Sequence, residues 1–120
     1  MIEKNGQFVP DDFPDDLAIA VRNGESVSVV FGCAHRGAIN TLRRIDELWG
    51  IKKLGAVLGG THLFNRTQEQ VEMTIEELER FSPEKIAVGH CTGDQVLCQL
   101  AKRFENKFIF PASGLRIPLE

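Results

Sequence analysis

Three times in this chain a short apolar run ends in glycine, a histidine follows within a few residues, and an amphipathic helical pattern comes next. Residues 27–31 lead into Gly32-Cys33-Ala34-His35, residues 54–58 into Gly59-Gly60-Thr61-His62, and residues 85–88 into Gly89-His90-Cys91-Thr92. The first helical pattern runs from about Ala38 to Trp49, with Ile39, Leu42, Ile45 and Trp49 spaced to share one face. The second begins near Thr67, where Gln70 is placed to close a capping box, and carries Val71, Ile75, Leu78 and Phe81 as its apolar stripe. In the third, Thr92 and Gln95 form another capping-box pattern ahead of Val96, Leu97, Leu100, Ala101 and Phe104. Strands alternating with helices of this length dictate βαβ units and a largely parallel sheet.

Two β-favouring runs, residues 17–21 and 27–31, flank Asn23-Gly24, and this predicts an antiparallel hairpin at the start of the sheet. Residues 1–16 are acidic, interrupted by Pro10 and Pro14, and read as an irregular arm. Residues 108–110 and the tail to Leu119 suggest two more short strands. The 120 residues form one domain with one core. A formal charge of -3 argues against a nucleic-acid module. The absence of a long apolar run or signal-peptide pattern predicts no membrane association. Three cysteines without disulfide-framework spacing read as reduced thiols of a cytoplasmic protein.

Right-handed crossovers bring the carboxyl ends of parallel strands to one edge, the edge where open α/β sheets bind ligands. All three histidines, His35, His62 and His90, fall there. Neutral imidazoles from separate loops can converge on zinc, iron or manganese, with zinc the first expectation. Alternatively, the loops bind an anion such as a phosphate or nucleotide through helix amino-termini, with the histidines as hydrogen-bond donors. Cys33 is a candidate thiolate ligand beside His35. Cys91 reads as a small side chain packed under a tight turn, with a reactive thiol sharing redox regulation with Cys33 as the alternative, and Cys98 as a helix residue without a role. Arg36 and the cluster Asp11, Asp12, Asp15 and Asp16 read as solvated charges.

Four strings in order resemble a subgroup of the metallo-β-lactamase superfamily that includes dihydropterin-methyl-aminobenzene ribofuranosyl phosphate synthases. They are DDFPDDLAIAVRNGESVSVVFGCAH, GAIN, AVLGGTHLF and VGHCTG. The resemblance implies an α/β fold, the carboxy-terminal half of an αββα sandwich with mostly parallel βαβ units and an antiparallel amino-terminal hairpin. It implies a divalent metal, with water activated by the ion and a small-molecule substrate. By motif, His90 and His35 correspond to metal ligands and Cys33 to the place of a bridging carboxylate or cysteine. His62 corresponds to a ligand, an outer-sphere residue or a substrate contact. The superfamily signature H-x-H-x-D-H does not occur in the chain. That departure leads us to expect a half-domain, from a truncation or a split pair of genes. An apolar sheet face would then need a homodimer or a complementary amino-terminal half to cover it.

Overall fold

The computed structural model describes residues 1–119. Six strands and three α-helices follow in the order β1 (Ile2–Lys4), β2 (Gln7–Val9), β3 (Ala18–Asn23), β4 (Ser26–Phe31), α1 (Ala38–Trp49), β5 (Lys53–Gly60), α2 (Gln68–Phe81), β6 (Lys85–Gly89) and α3 (Asp94–Phe104). A single 3₁₀ turn, Glu105–Lys107, follows α3. Strands β3-β4-β5-β6 form one sheet in sequence order. The β3–β4 pair is antiparallel, while β4, β5 and β6 run parallel. This is the predicted hairpin followed by βαβ units.

The three helices lie on one face of this sheet. Val27, Val29 and Phe31 of β4, Leu54 and Val57 of β5, and Ile86 and Val88 of β6 pack into a single cluster with Leu42, Ile45, Ile75, Leu78 and Leu100 of the helices. Burying such side chains contributes roughly 1.5–3 kcal/mol each, which makes this cluster the main source of stability. Across the helix layer, Arg43 pairs with Glu77, and Arg103 pairs with both Glu72 and Glu79. These are exposed pairs that orient the helices more than they stabilise them.

Among the described residues no helix covers the opposite face of the sheet. One row across it, set by the register, is Ile19, Val30, Leu58 and Ala87. Ile19 is 58% exposed, and Val30 and Leu58 are half-buried. The carboxy-terminal tail crosses this face near the amino ends of the parallel strands. Lys85 on β6 donates to the Pro118 carbonyl at 3.1 Å, and Asn23 on β3, at the other edge, donates to the Leu119 carbonyl at 3.3 Å. Between β4 and β5 the register slips, so that Gly55 and Ala56 stand opposite Ser28. The Ser28 hydroxyl accepts the Ala56 N–H at 2.9 Å, replacing the lost ladder bond.

Several local expectations are corrected. Residues 1–16 are not irregular throughout, because β1 and β2 form a hairpin about Asn5-Gly6. Both turn residues have positive φ, 52° and 76°, as a type I′ turn requires. In the β3–β4 turn, Asn23 still pairs with Ser26, and Gly24 alone takes positive φ. Trp49 is 44% exposed rather than buried, with the Arg22 guanidinium 5.3 Å from its ring centre. Thr92 does not cap α3; the cap is Gly93, since the Thr92 hydroxyl is engaged elsewhere. Residues 108–110 make one parallel bridge, Ile86 to Phe108, and the tail makes no strand. Pro111 lacks the N–H needed to continue the ladder.

Gly59 has φ +99°, and a Cβ there would lie 1.9 Å from the Phe31 carbonyl oxygen. Gly59→Ala is expected to lose at least about 3 kcal/mol of stability, through backbone strain and parting of β4 from β5. By contrast, Thr67→Ala, which removes the capping box of α2, should lose about 1 kcal/mol. Urea denaturation of the two variants checks the ranking.

Candidate metal centre

The parallel strands end in register. Phe31 lies opposite Gly59, and Gly60 opposite Gly89. The three following loops therefore leave the sheet at one level. Each contains one non-glycine residue in the left-handed region: Ala34 at φ 54°, His62 at φ 50° and His90 at φ 49°. Such residues are strained and recur at functional sites. Here they turn the chain away from each strand within three residues of its end and leave the histidines there.

Five side chains come together. The Cys33 sulfur is 3.0 Å from the Cys91 sulfur and 3.4 Å from His62 Nδ1. The backbone N–H of His62 donates to Cys91 Sγ at 3.1 Å, and the Cys91 thiol donates to the Cys33 carbonyl at 3.4 Å. His35 stacks edge-on against His62 with ring centres 4.6 Å apart. Phe13, from the arm, packs on His35 at 4.5 Å. Among the described residues the possible ligand atoms fall into two trios that share Cys33. One trio is Cys33, His35 and His62; the other is Cys33, His90 and Cys91. In each, all three atoms lie within 4.8 Å of one another. The three histidines thus reach one edge, as expected, but not one trio.

Gly60 provides the room for this crowding. A Cβ on it would stand 2.8 Å from the Gly32 carbonyl oxygen, 2.9 Å from Cys91 Sγ and 3.1 Å from His90 Cδ2. Beneath the cluster, two buried hydroxyls tie the second loop to the third. Thr92 Oγ1 donates to the Gly89 carbonyl at 2.7 Å, so Thr61 Oγ1, 2.9 Å away, donates to Thr92. Asp16 accepts the backbone N–H of Arg36 at 2.9 Å and steadies the first loop, a role the acidic string did not disclose.

The donor chemistry fits a divalent ion of borderline softness. Burial first, then His35 and Arg66, holds His62 below the usual imidazole value, so it is neutral and able to ligate at pH 7. Burial and the adjacent Cys91 thiol push Cys33 up to about 11. Its thiol stays protonated at neutral pH unless a cation draws the proton off. Neither trio includes a carboxylate. Cys91, set aside in the sequence as a packing residue, is central here. The pairing of histidine with cysteine in both GCAH and GHCTG was the signal for it. Beside the cluster runs a groove of about 380 Å³, lined by His35 and His62, by the cationic Arg36 and Arg66, and by the Arg43–Glu77 ion pair.

Fold and cluster together define an α/β protein, helices on one sheet face only, with nitrogen and sulfur donors gathered at the strand ends. Comparison with known proteins narrows this. No family model matches the chain. It is 31% identical over 105 residues to the 7,8-dihydropterin-6-methyl-4-(β-D-ribofuranosyl)-aminobenzene-5′-phosphate synthase of Methanocaldococcus jannaschii, a match covering 88% of the chain and 36% of that protein. The crystal structure of Tm1679, a metal-dependent hydrolase of the β-lactamase superfamily, superimposes with a TM-score of 0.88 at 29% identity. That match covers 97% of this chain and 45% of Tm1679. The chain carries half of a metallo-β-lactamase-superfamily fold, and spans less than half the length of either relative.

Thr92→Val leaves the Thr61 hydroxyl without its acceptor and removes the side-chain donor to the Gly89 carbonyl, which keeps the Thr92 backbone N–H at 2.9 Å, at an expected cost of about 1–3 kcal/mol. The double variant Thr61→Val/Thr92→Val should lose less than the sum of the two single changes, because the pair acts as a unit. A denaturation cycle over the four proteins measures this coupling.

Proposed function

We propose that this chain is the carboxy-terminal, metal-binding part of a metal-dependent hydrolase, with His35, His62, His90 and Cys33 as ligands. The reading is carried by the two donor trios joined through Cys33. Zinc is the ion expected, because mixed imidazole and thiolate donors suit it best. When bound, a divalent metal supplies Lewis acidity and activates water for hydrolysis. The chain's own contribution is to hold the imidazoles on strained, glycine-flanked loops and to shield one side of His35 with Phe13. Arg36 and Arg66 suit an anionic group of a small-molecule substrate in the groove. The same arginines also favour a second reading, a binding module for a phosphate-bearing molecule without catalysis.

Completion of the site falls to a partner. The helix-free face with its row of Ile19, Val30, Leu58 and Ala87 suits a complementary amino-terminal half or a second copy of the chain. No helix among the described residues is long and apolar enough to cross a membrane. We assign the protein to the cytoplasm, where the three free thiols would stay reduced.

Elemental mass spectrometry on untagged protein tests the reading, with light scattering on the same sample. Near-stoichiometric zinc, iron or manganese is expected, with affinity falling about tenfold or more in His35→Ala and His90→Ala. Metal-free protein, or unchanged affinity in both variants, would remove the ligand assignment. Val30→Asp or Leu58→Asp should reduce a dimeric mass to the monomer. A wild-type monomer that binds phosphate without metal would favour the second reading.

A further inference from the structure

Cys33 and Cys91 lie 58 residues apart in sequence, on the loops after β4 and β6, with β5 between those strands. Their sulfurs nevertheless stand 3.0 Å apart, in van der Waals contact or closer. Side-chain space over the end of β5 allows this approach. Gly60 carries no Cβ, and one built there would press on Cys91 Sγ at 2.9 Å. Both thiols are half-buried rather than sealed, so a small reagent can reach them. About 1 Å of movement separates the two sulfurs from bonding distance. Backbone contacts hold the second and third loops together, because Phe64 N–H donates to the Cys91 carbonyl at 3.2 Å. Cys98, on α3, is exposed and belongs to no such pair.

We propose that Cys33 and Cys91 form an oxidisable dithiol that closes to an intramolecular disulfide by exchange with a low-molecular-weight disulfide. One protein thiolate attacks the reagent's S–S bond, forming a mixed disulfide and releasing one small thiolate. The second protein thiolate attacks the protein sulfur of that mixed disulfide, and the second small thiolate leaves. The two protons lost by the cysteines pass to the two released thiolates. Two protein thiols are oxidised and one reagent disulfide is reduced. The bridge would span β5 and tie the first loop to the third. It would also withdraw Cys33 from both donor trios, so oxidation would release a bound metal. That last consequence rests on the metal-centre reading; the pairing itself does not.

The test uses the full chain, reduced and stripped of metal with EDTA, then equilibrated with oxidised glutathione. The Cys33 and Cys91 thiols are expected to disappear with a mass loss of two hydrogens, counted apart from any glutathione adduct on the exposed Cys98. Digestion with trypsin and a protease cleaving before aspartate separates Cys91 from Cys98. The expected cross-linked product joins residues 23–36 to residues 86–93. Cys98→Ser should form the same bridge, with a raised melting temperature, whereas Cys33→Ser and Cys91→Ser should stop at a single glutathione adduct on the remaining partner. A bridge through Cys98, intermolecular dimers alone, or stable adducts on both Cys33 and Cys91 would overturn the proposal. If the bridge forms but the reduced protein binds no metal, the dithiol stands and only its coupling to metal release falls.

Discussion

Everything at the candidate site depends on the register of three parallel strands. Hydrogen bonding sets Phe31 beside Gly59 and Gly60 beside Gly89, so β4, β5 and β6 terminate at one height. Parallel pairing gives each strand the same direction, and the crossover helices keep every return path on one face. The loops therefore have no choice of edge. A slip of one residue would turn the core side chains of a strand outward and would carry its histidine to a different level. Val29, Val57 and Val88, all fully buried, hold the register against such a slip. The chemistry at the edge is in this sense a by-product of packing several residues away.

Strain and crowding sharpen what register begins. His62 and His90 both occupy backbone conformations that cost a side-chain-bearing residue free energy. Gly59 and Gly60 accept contacts that any larger residue would break. The loops are thus narrow, tightly supported and short, and five nitrogen- and sulfur-bearing side chains meet in a small volume. The same tightness makes the two sulfurs neighbours. Metal ligation and thiol exchange draw on one geometry, and the state of one bears on the other.

Much of this was readable from sequence because it is local or periodic. The bounds of α1, the capping box of α2, the β3–β4 hairpin and the position of all three histidines follow from spacing and turn chemistry. What escaped was decided by contacts distant in sequence. Trp49 has helical-face spacing, yet Arg22 from β3 lies over it and leaves it partly in solvent. Thr92 fits a capping pattern, yet its hydroxyl is taken by Thr61 and Gly89. Cys91 looks like a turn residue until the first loop brings Cys33 to it. The β1–β2 hairpin is a different case. Asn5-Gly6 announced it, but three-residue strands of mixed polarity gave no alternation to notice.

The tail adds one consequence of its own. Its last described residues, Pro118 and Leu119, reach across the helix-free face and accept hydrogen bonds from both edge strands. Both bonds are exposed, so each is readily exchanged for one to water. The segment is therefore a weakly held occupant of the surface that any incoming chain would need. Contact on that face becomes a contest between a tethered ligand, always present at high local concentration, and a free one, whose success rises with its abundance. Shortening the tail would tilt that contest without touching a single residue of the sheet.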